Sequence, residues 1–267
     1  MNTKRYAVIG DPVSQSLSPL LHQGWIADHG LDATYEAVLL RSEDPVRAIR
    51  GLTRFAGLNV TAPHKAAAAK AADRSEDGVA NVLRWEADGT LSAFNTDGAG
   101  FVEAVEESVP QWRARTKAVL IIGAGGAARA ITKALAGSPS LIVVNRTHAR
   151  AAALVEQLPA ATARSWEELP ALFAAADLIV NATTLGMSGS PSPEWPVQCC
   201  KRDAIIADIV YRPLKTALLA SARAEGLTTI DGLGMLIHQG ARAFEIWHDA
   251  KPDTKIARRR LMAALAL

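Results

Sequence analysis

Short apolar runs rich in β-branched residues alternate along the chain with longer Ala- and Leu-rich stretches. "YAVIG" is followed by a helix predicted from about Pro19 to His29, "ATYEAVLL" by "PVRAIRGL", and "LNV" by "KAAAAKAA". "NVLRWEADGTLSAF" reads as a hairpin turning at Asp88-Gly89, a dipeptide that accepts the positive φ of tight hairpin turns. From Lys117 the rhythm is cleaner: "AVLIIG", a helix, "LIVVN", a helix, then "LIVNA", "IIADIV" and "TTID". Strands separated by helices predict parallel sheets with βαβ crossovers. The rhythm changes between Gly98 and Thr116, which predicts a boundary between one α/β unit and a nucleotide-binding unit. "SGSPSPEWP", Ser188 to Pro196, is a loop by composition.

Composition narrows the class. A chain of 267 residues with 49% hydrophobic and 21% charged residues is a foldable globular protein. A net charge of +2 argues against nucleic acid or an anionic membrane as partner. Arg258-Arg259-Arg260 reads as a solvated face of the last helix. The two cysteines, Cys199 and Cys200, are adjacent and form neither a C-x-x-C pair nor a disulfide framework. That fits a reducing compartment. The apolar stretch at the start is too short for a signal peptide. No run reaches the roughly 18 apolar residues of a membrane span. The expectation is a soluble cytoplasmic protein. His22, His29, His148, His238 and His248 have no metal-ligand spacing, so no metal is expected.

"AVLIIGAGGAARAITKAL" is a strand, a glycine turn and a helix. Gly123, Gly125 and Ala128 fill the G-x-G-x-x-G/A pattern. The first glycine allows the turn, the second lets backbone approach a pyrophosphate, and the small third residue lets helix pack on strand. The plain alternative is an ordinary βα turn. The second strand ends in "NRTHAR", where an NAD enzyme usually carries an acidic ribose ligand. Here stand Asn145, Arg146, Thr147 and Arg150, a set suited to a 2′-phosphate. The cofactor expected is therefore NADP. The alternative is that Arg146 and Arg150 are surface charges at helical i, i+4 spacing.

"NVTAPHK", Asn59 to Lys65, follows a predicted strand. Pro63 is expected at the first helical position. Lys65 then falls in the first turn, where the helix dipole works against an ammonium.

With these motifs placed, the chain resembles the shikimate dehydrogenase family. The resemblance runs through "GDPVSQSLSP", "NVTAPHK", "NTDG", "GAGGAARA", "NRTHAR", "NATTLGM", "DIVYRPLKT" and "GLGMLIHQGARAFEIW". It implies two α/β domains flanking a cleft. The first would be a substrate-binding domain, 1–98, with a mainly parallel sheet, completed by C-terminal helices 234–267. The second would be a Rossmann-type NADP-binding domain, 99–233. It also implies NADP-dependent, reversible reduction of 3-dehydroshikimate to shikimate, in aromatic amino-acid biosynthesis. The partners implied are small molecules, with a monomer or homodimer as the assembly.

The resemblance places the substrate carboxylate on Ser16 and Ser18, whose hydroxyls point the same way if the segment is extended. Ser14 continues the alternation without matching the motif, and Ser18-Pro19 is also a plain helix start. Asn59 and Thr61 fall on the family motif, and His64 reads as packing. Asn81 matches the asparagine that binds ring hydroxyls, or is a turn residue; Val82 departs from the threonine common beside it. Gln239 matches the family glutamine that contacts substrate, and Tyr211 would line the cleft near the nicotinamide. Cofactor contacts are implied at Gly123, Ala124, Gly125, Gly126, Ala127, Asn145, Arg146, Thr147, Arg150, Thr183, Met187, Gly232 and Met235. Met187 and Met235 are otherwise ordinary core residues. Asn181 belongs to the same strand end.

Alcohol oxidation needs an acceptor for the hydride and a side chain for the proton. Lys65 and Asp97 are expected to form that coupled proton-moving pair, with Thr96 as backbone support. Which of the two holds the proton stays open. So does a role of Lys65 mainly in positioning, and one of Asp97 as a helix N-cap. Rival readings are a paralogue acting on quinate or an amino analogue of shikimate, and a non-catalytic NADP sensor. The serine at position 18 leans toward shikimate, because quinate-type members tend to carry threonine there.

Overall fold

The computed structural model describes residues 3–75, 77–188 and 190–265. The chain begins with β1 (Lys4–Gly10), α1 (Ser18–Asp28), β2 (Ala33–Leu39), α2 (Pro45–Arg50), β3 (Gly57–Val60), α3 (Lys65–Ala71), β4 (Arg74–Ser75), β5 (Val82–Trp85) and β6 (Leu91–Phe94). It continues through α4 (Asp97–Ser108), α5 (Trp112–Arg115), β7 (Ala118–Ile122), α6 (Gly126–Ala134), β8 (Ser140–Val144), α7 (His148–Val155) and β9 (Thr162–Arg164). Then come α8 (Leu169–Ala175), β10 (Leu178–Asn181), β11 (Ile205–Asp208), α9 (Ala217–Ala224), β12 (Thr228–Ile230), α10 (Gly232–His248) and α11 (Thr254–Leu265). Two compact units result: Met1–Gly100 with Leu236–Leu267, and Phe101–Met235.

The first unit carries a sheet of order β2-β1-β3-β5-β6-β4. β1 runs parallel to β2 and β3, and β4 parallel to β6. β5 is antiparallel to both β3 and β6. The sheet is thus mixed, because the β5–β6 hairpin reverses the chain inside it. Its turn closes with Glu86 N–H to Thr90 O at 2.8 Å, and Gly89 takes φ +82°. Alternation divides the apolar residues between two faces. Ala7, Ile9, Leu58 and Val60 join Ile49 of α2 and Ala68 of α3 in one core layer.

Tyr6, on the alternate register, packs its ring against Trp247 of α10 at 5.0 Å between centroids. An aromatic cluster joins α1, β2 and α10: His22 stacks on Tyr35 at 4.3 Å and meets Trp25 edge-on. Two of the indoles in this unit have their donors occupied. Trp247 Nε1 donates to Leu83 O at 3.0 Å and Trp25 Nε1 to Asp253 O at 3.1 Å. Of the arginine triplet, Arg260 is not merely solvated; it pairs with Asp28 of α1 at 2.9 Å.

His22 has a measurable consequence. Its ring is 1% exposed, and neither nitrogen has a partner among the described residues. Burial, aided by nearby His248, holds its pKa down at about 3, against 6.5 for an ordinary histidine. The unfolded chain therefore takes up a proton below pH 6.5 that the folded chain refuses. Stability from this group is complete above pH 6.5 and falls as pH drops toward 3. On this account His22 alone should contribute a loss of about 2 kcal/mol between pH 7 and pH 5. His22→Phe, which keeps a flat ring on Tyr35, should lose about 2 kcal/mol less over that interval. Denaturation midpoints at the two pH values check this; equal acid losses in both proteins would refute it.

In the second unit every strand pairing is parallel, in the order β12-β11-β10-β7-β8-β9. The chain winds one way through β7, β8 and β9 and the other way through β10, β11 and β12. The topological switch therefore lies between β7 and β10, where open α/β sheets form a ligand crevice at the strands' carboxyl ends. Val119, Ile121 and Val143 face a core shared with Ala128 and Ile131 of α6. Leu120, Ile122 and Ile206 face one shared with Phe173 of α8 and Leu219 of α9. The three-residue β9 and the two-residue β4 are additions to the sequence-based element list. The predicted loop at 188–196 includes Gly189, which lies outside the described residues. Trp195 at its end is buried and donates to Ser192 Oγ at 3.0 Å. No helix among the described residues is long and apolar enough to cross a membrane.

Candidate active site

Lys65 is the first residue of α3, and Pro63 stands before that helix. The expectation of Pro63 as first helical residue is corrected by a turn in which His64 N–H reaches Thr61 O at 3.0 Å. His64 is buried and its Nε2 lies 2.8 Å from Leu40 O. The Lys65 ammonium pairs with Asp97 Oδ2, and the two side chains are 16% and 5% exposed. An ammonium has three donors. No other partner holds the Lys65 ammonium among the described residues.

Asp97 opens α4, but its carboxylate is not engaged in capping. Oδ2 takes Lys65, and Oδ1 accepts from Asn81 Nδ2 at 3.0 Å. The Asp97 N–H is satisfied instead by Asn95 Oδ1 at 3.1 Å. Asn81 is 2% exposed and more than a turn residue. Its Nδ2 also meets Thr96 Oγ1 at 2.9 Å and Gln239 Oε1 at 3.0 Å, while its Oδ1 accepts Thr96 N–H at 2.7 Å. Two amide protons thus serve three acceptors. Gln239 is anchored in turn by Nε2 to Leu236 O at 2.8 Å, and Thr96 Oγ1 donates to Gln239 O at 3.0 Å. Gly100 permits this: a Cβ there would stand 2.5 Å from Gln239 N.

Asn59 joins the same network. Its Nδ2 donates to Asn81 O at 3.2 Å, and its Oδ1 accepts from Tyr35 O–H at 2.6 Å. Burial raises the Tyr35 pKa well above its ordinary value of 10. A continuous chain therefore links Tyr35, Asn59, Asn81, Asp97 and Lys65. Thr61 lies beside it, its hydroxyl without a protein partner among the described residues. Tyr35 was not foreseen as a site residue, since a strand tyrosine in "ATYEAVLL" gives no sign of where its hydroxyl goes.

Ser16 and Ser18 are not held by a strand alternation. Leu17 between them is helical, with φ −86° and ψ −4°, and Ser18 is the first helical residue. The expectation of an extended segment fails here because Ser16 N–H closes a turn to Val13 O at 3.0 Å. Ser16 Oγ accepts Ser18 N–H at 3.2 Å, which gives that serine a local structural use as well. Ser14 is exposed.

The second unit presents a different chemistry. Gly123 adopts φ +123°, and a Cβ there would stand 2.8 Å from Ala182 O, so only glycine fits. Gly125 caps α6, and a Cβ on it would meet nothing within 4 Å. Space therefore stands open at the helix N-terminus, next to Ala124, Gly126 and Ala127. That is what backbone recognition of a pyrophosphate requires. Past β8, Asn145 Nδ2 donates to Thr147 O at 3.0 Å. Arg146, Thr147 and Arg150 are exposed, and neither guanidinium has an ion pair among the described residues. Arg146 precedes the Thr147 N-cap of α7, so the two arginines do not form a helical i, i+4 pair. The donor set fits a phosphate.

Thr183 follows β10, and its hydroxyl donates to Asn181 Oδ1 at 2.6 Å and accepts Leu185 N–H at 3.0 Å. Asn181 is the last residue of that strand, fully buried and engaged in bracing the loop. Met187 is 37% exposed, whereas Met235 is 8% exposed and packs in the core of the second unit. Gly232 opens α10 against Ile209, and Tyr211 is half-buried beyond β11. No group of three or more His, Cys, Asp or Glu side chains among the described residues could hold a metal ion.

Comparison with known proteins follows this division. Residues 8–82 match the shikimate dehydrogenase substrate binding domain, 103–188 the shikimate / quinate 5-dehydrogenase family, and 232–262 the shikimate 5'-dehydrogenase C-terminal domain. The chain is 43% identical over 266 residues to shikimate dehydrogenase (NADP(+)) of Rhodospirillum rubrum, covering 94% of each. It is similar to the crystal structure of shikimate 5-dehydrogenase from Thermus thermophilus in complex with NADP(H) and shikimate. That likeness has a TM-score of 0.87 at 36% identity, over 98% of this chain and 100% of that one. Quinate dehydrogenase from Corynebacterium glutamicum in complex with NAD is similar at a TM-score of 0.87 and 31% identity, over 98% and 99% of the two chains.

Proposed function

The chain belongs to the shikimate dehydrogenase family, and we propose that it catalyses the NADPH-dependent, reversible reduction of 3-dehydroshikimate to shikimate. The observation that carries this is the Lys65–Asp97 pair, largely buried and braced by Asn81, in a unit that matches a substrate-binding domain. The first unit binds substrate and the second binds NADP. When bound, NADPH would supply the hydride for reduction and NADP+ would accept it in oxidation. Gly123 to Ala127 would take its pyrophosphate, Asn145, Arg146, Thr147 and Arg150 its 2′-phosphate, and Thr183, Met187, Gly232 and Met235 the remainder.

Lys65 and Asp97 move the proton at the substrate hydroxyl. In oxidation the pair accepts it, and in reduction the Lys65 ammonium donates it to the forming alkoxide. Asp97 orients the ammonium and balances its charge. Ser16 and Ser18 hold the carboxylate, while Asn59, Thr61, Asn81 and Gln239 read the ring hydroxyls, with Tyr211 against the ring. A cytoplasmic monomer or homodimer without nucleic-acid partners completes the reading, supported by the small net charge and scarce cysteines.

Quinate is the second reading, favoured by the likeness to a quinate dehydrogenase. Turnover with shikimate, quinate and NADP decides. Shikimate with NADP should be the best pair; a quinate preference, or no turnover, would reject the proposal. Ser16→Ala should raise KM for shikimate roughly tenfold or more and leave NADP binding unchanged, since a hydrogen bond to a charged group contributes about 1.5–3 kcal/mol. Methyl shikimate, lacking that charge, should lose little further in the variant. An equal penalty on ester and acid would show that Ser16 does not read the carboxylate.

A further inference from the structure

Asp208 is a buried carboxylate for which the reaction has no use. It ends β11, is 2% exposed, and has no cationic partner among the described residues. Burial raises its pKa above the usual carboxylate range. A buried carboxylate needs donors. Three converge: Asn181 Nδ2 and Val210 N–H on Oδ1, each at 3.0 Å, and Thr216 Oγ1 on Oδ2 at 2.7 Å. Asn181 ends the neighbouring strand in register with Asp208. Its remaining atoms hold the following loop: Oδ1 accepts Thr183 N–H at 3.2 Å, and Nδ2 donates to Leu185 O at 3.1 Å. That loop lies on the glycine turn, with Thr183 Cγ2 within 2.9 Å of where a Gly123 Cβ would stand.

We propose that Asp208 is a positioning residue for cofactor binding: through Asn181 and Thr216 it ties the loop after β11 to the loop after β10, which lies at the switch point against Gly123. This rests on the reading that the second unit binds NADP. The clamp works by hydrogen-bond geometry, and not by charge on the cofactor. An asparagine at 208 preserves it, accepting on its oxygen and donating to the Thr216 hydroxyl.

The test is the Kd for NADPH, from its fluorescence, with the thermal midpoint measured beside it. Asp208→Leu and Asn181→Leu should each weaken NADPH about tenfold, and the double variant should be far from additive. Asp208→Asn should stay within about twofold of wild type. If Asp208→Leu does not fold, Thr216→Val decides, with a Kd about threefold weaker and restored by Thr216→Ser. A fall in midpoint with unchanged Kd would make the clamp a mere strut and overturn the proposal. So would an Asp208→Asn variant as weak as Asp208→Leu. Failure of the wild type to bind NADPH at all would instead reject the cofactor reading, and this proposal with it.

Discussion

Lys65→Met should lower kcat for shikimate oxidation by roughly 10²–10⁴-fold, the usual size of a general acid–base contribution. Methionine keeps an unbranched stem and removes the ammonium, so the wall of the site survives. NADP affinity should not change, because the glycine turn belongs to the other unit. Asp97→Asn should be severe for a geometric reason. The carboxylate accepts from Lys65 on one oxygen and from Asn81 on the other. An amide accepts on one side only, so one of those donors would face an N–H. Groups that act as one unit give strongly non-additive losses. The double variant should therefore be little worse than Lys65→Met alone. A raised KM with kcat intact would make Lys65 a uniform binder of the hydroxyl. Full additivity would make Asp97 a helix-start residue and nothing more.

How much of this was legible in the sequence follows from what each signal depends on. The parallel sheet of the second unit was legible because β7, β8, β10 and β11 are buried on both faces and read as unbroken apolar runs. The three-residue β9, "TAR", has no such run, since an edge strand needs little apolar surface. In the first unit the β5–β6 hairpin was visible from Asp88-Gly89, but its insertion beside β3 was not; strand neighbours are set by tertiary packing. Lys65 and Asp97 were visible through their motifs, 32 residues apart. The network that joins them was not. Asn81 read equally as a ligand of the ring hydroxyls or a turn residue, and Tyr35 as a strand aromatic. Their hydrogen bonds cross separations of 16 and 24 residues, which no local pattern encodes. The paired serines show the reverse case: alternation in sequence suggested a shared direction, and a turn with helical backbone at Leu17 removes its basis.

Cofactor choice gives the second large effect. Arg146→Ala or Arg150→Ala should weaken NADP by about tenfold to a hundredfold and leave NAD nearly unchanged, since a hydrogen bond to a charged group contributes roughly 1.5–3 kcal/mol. The two arginines approach the end of β8 from different backbone settings, Arg146 in the turn before α7 and Arg150 in its first turn. Neither is neutralised by a carboxylate among the described residues, so both forks are available to a phosphate. No acidic residue stands in "NRTHAR" to bind a ribose 2′-OH. The exposure of these side chains means that salt should screen the preference. Raising ionic strength should therefore narrow the gap between NADP and NAD in the wild type. In a variant lacking both arginines the gap should already be small and respond little to salt. Titration of both cofactors into the three variants, at low and high salt, measures this. Equal losses for NADP and NAD would remove the 2′-phosphate from these arginines and assign them to the protein surface.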